Sequence, residues 1–250
     1  MPVSATIGGV ILPFCAMNAS GTWSTTAGEL VALAGSAAGA VVLRSTTVHP
    51  FLHPQFRSLH NHGYDRYLPL VVELKAFGKP LVASIAGASA EEYVTLARAF
   101  GEAGADLIEV NVAEPYVAAT LAPWEDPGAL VALLVTVRAA AGRPVLVRCP
   151  ERMPVPLADL RRVLADAAVD AVVLANTFEV MEKFFIEGTG PLPAVVAMGG
   201  VRSGYDLASA LRKGATAVQV SSALALEGPR IFARLAREYE AAVRGRHSVG

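Results

Sequence analysis

The chain has 250 residues, of which 53% are hydrophobic and 17% charged. That composition supplies apolar material for one barrel-sized core and excludes a disordered chain. A formal net charge of −1 excludes a general attraction to nucleic acid or to an anionic membrane surface.

Taken in order, Ala5-Thr6-Ile7-Gly8-Gly9-Val10-Ile11-Leu12 reads as a hairpin with a Gly-Gly turn, placed to plug the bottom of a barrel. Phe14 to Met17 is the first barrel strand, Thr26 to Ala34 a helix, and Ala40 to Leu43 the second strand. The loop from Arg44 to Arg66 is long for a compact domain and carries His49, His53, His60 and His62. Tyr67 to Phe77 reads as a helix and Pro80 to Ser84 as the third strand. Ser89-Ala90-Glu91-Glu92 is a capping box that opens a helix to Ala103. Leu107 to Asn111 is the fourth strand. Asp126-Pro127 caps a helix to about Ala141, and Val145 to Val147 is the fifth strand. Leu157 to Ala167 is a helix and Ala171 to Leu174 the sixth strand, followed by an irregular, phenylalanine-bearing stretch to Pro193. Ala194 to Ala197 is the seventh strand, Tyr205 to Lys213 a helix, Ala217 to Val220 the eighth strand, and Gly228 to about Arg244 a last helix.

Eight apolar strands, mostly followed by helices, predict one α/β domain over residues 1–250, a TIM (β/α)8 barrel with an N-terminal β-hairpin. The alternative is a doubly wound open sheet, but no Gly-x-Gly-x-x-Gly follows the first strand. Cys15 and Cys149 lie far apart beside strand-like runs, so no disulfide framework is expected. Met1-Pro2-Val3-Ser4 lacks the basic start of a signal peptide, and apolar windows such as Leu30 to Leu43 are too short to cross a bilayer. A soluble, cytoplasmic protein is the expectation.

Chemistry in a barrel sits at the carboxyl ends of its strands. Those ends carry Asn18-Ala19-Ser20-Gly21, Arg44-Ser45-Thr46, Ser84, Asn111, Arg148, Asn176-Thr177, Gly199-Gly200 and Ser221-Ser222. The two glycines let backbone N–H groups approach an anion, and the two serines add hydroxyl donors. Loops after the last two barrel strands commonly hold phosphate. No acidic cluster suggests a metal. The ring of amides, hydroxyls and guanidiniums suits a planar heterocycle with a phosphate tail, as in flavin mononucleotide (FMN).

In these pieces the chain resembles the dihydroorotate dehydrogenase family. The matching segments are Met17-Asn18-Ala19-Ser20-Gly21, Gly39-Ala40 through Arg44-Ser45-Thr46, Ser84-Ile85-Ala86-Gly87, Glu109-Val110-Asn111, Ala175-Asn176-Thr177 and Gly199-Gly200. The block Gly214 to Val220, with Glu227-Gly228-Pro229, completes them. The resemblance implies an FMN-dependent oxidoreductase of pyrimidine biosynthesis that passes hydride between dihydroorotate and the flavin, as a homodimer with a small-molecule substrate. It implies that Ala19, Ser20 and Gly21 line the flavin ring, that Gly199, Gly200, Ser221 and Ser222 hold its phosphate, and that Asn111, Asn176 and Thr177 hold the pyrimidine. Arg44, with Ser45 beside it, and Arg148 stand where the family has lysines, and a guanidinium there would stabilise an anionic reduced ring.

Glu114 takes the place of the family's catalytic Cys or Ser, and the family's substrate-gripping Asn-Ser-Met-Gly-Leu-Pro-Asn segment is missing. Glu114 therefore reads either as the catalytic base or as a loop glutamate in a catalytically degenerate flavin- or phosphate-binding paralogue. A third reading is a non-flavin phosphate-binding barrel enzyme, though no strand-end lysine is present for a Schiff base. The histidines read as a solvated loop rather than metal ligands, and both cysteines as core. Trp23 and Trp124 could cover a flavin face, but packing is their default role.

Overall fold

The hairpin forms as its turn chemistry requires. Strands β1 (Ala5–Ile7) and β2 (Val10–Leu12) pair antiparallel through Ala5↔Leu12 and Ile7↔Val10. Gly8 and Gly9 both have positive φ, +54° and +83°, which glycine adopts without steric cost. A Cβ on Gly8 would lie 2.3 Å from Pro144, just before a barrel strand, so the hairpin tip seats against the strands' N-terminal ends. Ile7 and Leu12 are fully buried there. The computed structural model describes residues 3–51, 61–113, 126–150, 157–175, 178–187 and 191–247.

Eight parallel strands follow: β3 (Ala16–Asn18), β4 (Val41–Val42), β5 (Leu81–Ile85), β6 (Leu107–Asn111), β7 (Val145–Arg148), β8 (Ala171–Ala175), β9 (Ala194–Met198) and β10 (Ala217–Val220). Their order in the sheet is β3-β10-β9-β8-β7-β6-β5-β4, so each strand lies beside its sequence neighbour and the first returns to the last. This is a nearly closed TIM barrel, as the alternation of strands and helices predicts. Most strand residues are buried, as expected of strands covered on both faces.

The open seam lies between β3 and β4, and a side chain closes it. Asn18 Nδ2 donates to the Val42 carbonyl at 2.7 Å, and the Val42 N–H donates to Asn18 Oδ1 at 2.8 Å. Below, the Gly39 N–H donates to the Ala16 carbonyl at 2.8 Å. Gly39 is required at that crossing, because a Cβ would lie 1.6 Å from the Phe14 carbonyl oxygen.

Helices cover the outside: α1 (Ala27–Ala34), α2 (Leu68–Lys75), α3 (Ala90–Ala103), α4 (Pro127–Ala141), α5 (Leu157–Asp166), α6 (Phe178–Glu187), α7 (Gly204–Arg212), α8 (Ser222–Glu227) and α9 (Arg230–His247). Their starts follow the capping rules. Thr26 with Glu29 and Ser203 with Asp206 make reciprocal boxes, and Asp126 accepts from the N–H groups of Gly128 and Ala129. At Ser89 only half the expected box forms, since Glu92 accepts from the Ala88 N–H instead.

Two sequence readings need correction. The stretch after the sixth strand holds the ten-residue helix α6 rather than being irregular throughout. Met181 and Phe184, three apart on one face, are fully buried, while glycines and prolines just beyond conceal that spacing in the sequence. The last helix is also preceded by a separate short one, because Gly228 at φ +69° ends α8 before Pro229. No helix among the described residues is long and apolar enough to cross a membrane.

Cys15 and Cys149 are both buried in the core. Burial pushes the Cys15 thiol up to about 12, and the Cys149 thiol upward as well. Both therefore stay protonated and unreactive in the folded protein. A thiol-reagent titration at neutral pH is expected to find neither group before unfolding and both after it; rapid labelling of the native chain would contradict this. Asn18→Ala strands the N–H and C=O of Val42 and is expected to cost about 2–4 kcal/mol. Denaturant unfolding checks it, and a loss below about 0.5 kcal/mol would show that the seam holds without the amide.

Candidate functional site

The parallel order of β9 and β10 decides where the predicted cradle lies. Ala197↔Val218 and Met198↔Gln219 are registered, so Gly199 and Ser221 leave neighbouring strands at the same end of the barrel. The Gly199 N–H also reaches the Gln219 carbonyl at 3.4 Å. Gly199 and Gly200 have φ of +99° and +72°, the left-handed region that favours glycine. Ser222 is exposed and begins the short helix α8. The loop after β3 joins them, since Ala19 N–H donates to the Val220 carbonyl at 2.9 Å and Thr22 Oγ1 pairs with Ser221 Oγ at 2.8 Å. Gly199, Gly200, Ser221, Ser222 and Ala19 to Gly21 thus share one rim.

Beside the loop after β3, Arg44 follows β4 and is only 3% exposed. Its Nε is buried without a hydrogen-bond partner, and so is the Nε of half-buried Arg148. A Cβ on Gly21 would lie 3.3 Å from an Arg44 terminal nitrogen, so the loop after β3 lies against this guanidinium. The charge also reaches Tyr67: burial pushes that hydroxyl above its ordinary value, and Arg44 draws it partly back. Asn111 and Arg148 are registered partners on β6 and β7, and so emerge on the same face.

Inside the mouth the polar groups are joined. Ser20 Oγ and Ser45 Oγ are 2.7 Å apart, and the Ser45 N–H donates to Ser20 Oγ at 2.8 Å. Asn111 Nδ2 donates to Ser45 Oγ at 2.7 Å, while its Oδ1 accepts from the Ala113 N–H at 3.0 Å. Ser45 Oγ lies 3.0 Å from Ser84 Oγ, which donates to Glu109 Oε1 at 2.8 Å. Gln219 Nε2 donates to the other Glu109 oxygen at 2.6 Å. Ser84, Glu109, Asn111 and Gln219 are wholly buried. Buried Asn61 supports Ser45 from outside, its Nδ2 on the Ser45 carbonyl at 2.8 Å.

Glu109, Gln219 and Asn61 were not among the predicted site residues. One signal was available: Glu109 stands two residues before Asn111, so strand alternation puts both on the same inner face. Glu114, Asn176 and Thr177 lie outside the described residues, as does Trp124. Trp23 packs its ring against Gly228, whose Cβ position would lie 3.1 Å from it. His49 and His62 are exposed, and no metal-binding cluster occurs among the described residues.

The family model described as Dihydroorotate dehydrogenase matches residues 185–243, which span β9, β10 and the rim between them. The chain is similar over most of its length to the catalytic subunit of Dihydroorotate dehydrogenase B (NAD(+)) of Methanothermobacter thermautotrophicus, at 27% identity over 271 aligned positions, covering 89% of this chain and 87% of the relative. It is likewise similar to Dihydroorotate dehydrogenase (fumarate) of Trypanosoma cruzi, at 28% identity, with 89% and 87% covered. A third relative, Dihydroorotate dehydrogenase (quinone) of Sphingopyxis alaskensis, is 30% identical over 54% of this chain and 47% of its own length. The similarity to dihydroorotate dehydrogenases thus covers 89% of this chain in both full-length relatives, with a barrel of eight parallel strands beneath it.

Proposed function

We propose that the chain is an FMN-dependent oxidoreductase acting on the carbon–carbon bond of a small cyclic substrate resembling dihydroorotate. The observation that carries this reading is the pair of guanidiniums at the mouth, Arg44 and Arg148, each with a buried Nε that nothing among the described residues satisfies. Burying a charged donor without a partner is costly, so such a pair fits a site completed by a ligand with acceptor oxygens or nitrogens along one edge. The flavin ring has such an edge, and the phosphate tail suits the Gly199-Gly200 and Ser221-Ser222 rim. When bound, the flavin supplies hydride acceptance.

In this reading the chain's residues bind, orient and shield. Ala19, Ser20 and Gly21 line the ring, Arg44 and Arg148 fix its polar edge, and Asn111, Asn176 and Thr177 hold the substrate. Glu114 accepts the substrate proton. Ser45 holds Ser20 and Asn111 in place through the hydrogen bonds given above. A homodimer in the cytoplasm belongs to the same proposal.

A second reading has its own support. Glu114 replaces the family's Cys or Ser, and the Asn111 amide is already engaged by Ser45 and Ala113. These features suit a paralogue that binds flavin and turns nothing over. One experiment separates the readings. Purified protein is expected to show flavin absorbance, and anaerobic dihydroorotate is expected to bleach it. Bound flavin that no cyclic substrate bleaches establishes the second reading. Protein that stays colourless after incubation with FMN overturns both.

The arginine argument gives a further expectation. Arg44→Met removes a buried, unpaired charge, so flavin-free protein is expected to be as stable as wild type or more so, while FMN affinity falls about tenfold or more. Unchanged FMN affinity by fluorescence titration would remove Arg44 from the site.

A further inference from the structure

The hydroxyls inside the mouth form one unbroken line. Ser20 is half-buried at the rim, Ser45 and Ser84 are buried, and Glu109 is sealed in the barrel interior. The three links measure 2.7, 3.0 and 2.8 Å, each a normal O–H···O separation. We propose that Ser20, Ser45 and Ser84 form a proton relay from the barrel mouth to the Glu109 carboxylate, which serves as an interior proton store.

The partners around each oxygen support this over a merely structural network. Glu109 as a carboxylate accepts from Ser84 and from Gln219. Ser84 then has its hydrogen committed and must accept from Ser45. Ser45 in turn accepts from Ser20 and from Asn111, whose amide can only donate there. Every hydrogen thus points inward. If Glu109 is protonated on Oε1, each bond in the line reverses: Glu109 donates to Ser84, Ser84 to Ser45, Ser45 to Ser20, and Ser20 directs its hydrogen out to the mouth. Both arrangements satisfy all four groups without moving a heavy atom. A line of hydroxyls that is satisfied in both senses is what proton transfer requires.

The transfer balances. Ser20 gains a proton from a donor at the mouth, and each hydroxyl passes on its own proton as it receives the next. The last O–H bond forms on Glu109, and no electron moves. The groups on the flanking strands are Ser84 on one side and Leu146 on the other, with Gln219 across the barrel. The charged groups nearer the mouth are Arg148, registered with Asn111, and Arg44. The Tyr93 hydroxyl donates to the Asn111 carbonyl at 3.0 Å and takes no place in the line.

The test needs no flavin, so its failure is distinguishable from failure of the proposed function. Time-resolved infrared spectroscopy after a pH jump follows the protonated-carboxyl band that Glu109→Gln removes. Ser84→Ala and Ser20→Ala are each expected to slow that band at least about tenfold, and Ser84→Thr, which keeps a hydroxyl, to retain a rate near wild type. Ser20 lies at the rim, so its variant keeps the test open if the buried ones fail to fold. The proposal is overturned if Glu109→Gln removes no titrating band, or if Ser20→Ala takes up protons as fast as wild type.

Discussion

Between β3 and β4 the sheet has no ladder, and the barrel closes through the carboxamide of Asn18. A primary amide presents a donor and an acceptor side by side, as a peptide group does, and so can stand in for one rung of a sheet. The residues directly after it, Ala19 to Gly21, are then held at the mouth, where Ala19 bonds to the end of β10. Closure of the barrel and placement of one side of the candidate site are the same interaction. The close crossing at Gly39 serves both, since any side chain there would push the first and second strands apart.

The polar line inside the barrel is a second constraint, and it works against stability alone. Apolar side chains of similar volume would fill a barrel interior at no desolvation cost. Here a glutamate, a glutamine, an asparagine and two serines take that space, and Gln219 still leaves its Oε1 without a partner. Almost every other bond of the group is made, which gives it one arrangement of heavy atoms and ties the ends of β3, β4, β5, β6 and β10 to a common centre. The mouth therefore inherits its geometry from the core beneath it, rather than from its own loops.

The fold was largely legible because parallel barrel strands are buried on both faces and read as unbroken apolar runs. Leu107–Asn111 and Ala217–Val220 appear with the same bounds in sequence and structure. Helix starts were legible where a cap residue announced them, as at Ser89 and Asp126. Helix α6 was not, because its apolar face is short and its neighbours are glycine and proline. At the site, sequence could name the residues at the strand ends but not what each amide does. Asn18 spends its carboxamide on Val42, twenty-four residues away, and Glu109 meets Gln219 across 110 residues. Such pairings depend on how deep each strand sits in the barrel, which no local pattern records.

The chain also shows two ways of holding an arginine, and the contrast bears on what the mouth is for. Arg234 lies between Glu227 and Glu238, and their carboxylates push its guanidinium further toward the charged form. That is an ion pair completed within the protein. Arg44 is more buried, yet no ion pair to it occurs among the described residues, and Tyr67 beside it has its hydroxyl pushed upward by burial and so stays neutral. A guanidinium cannot discharge itself as a buried lysine can. Its charge therefore persists at the mouth, where its Nε has no hydrogen-bond partner among the described residues.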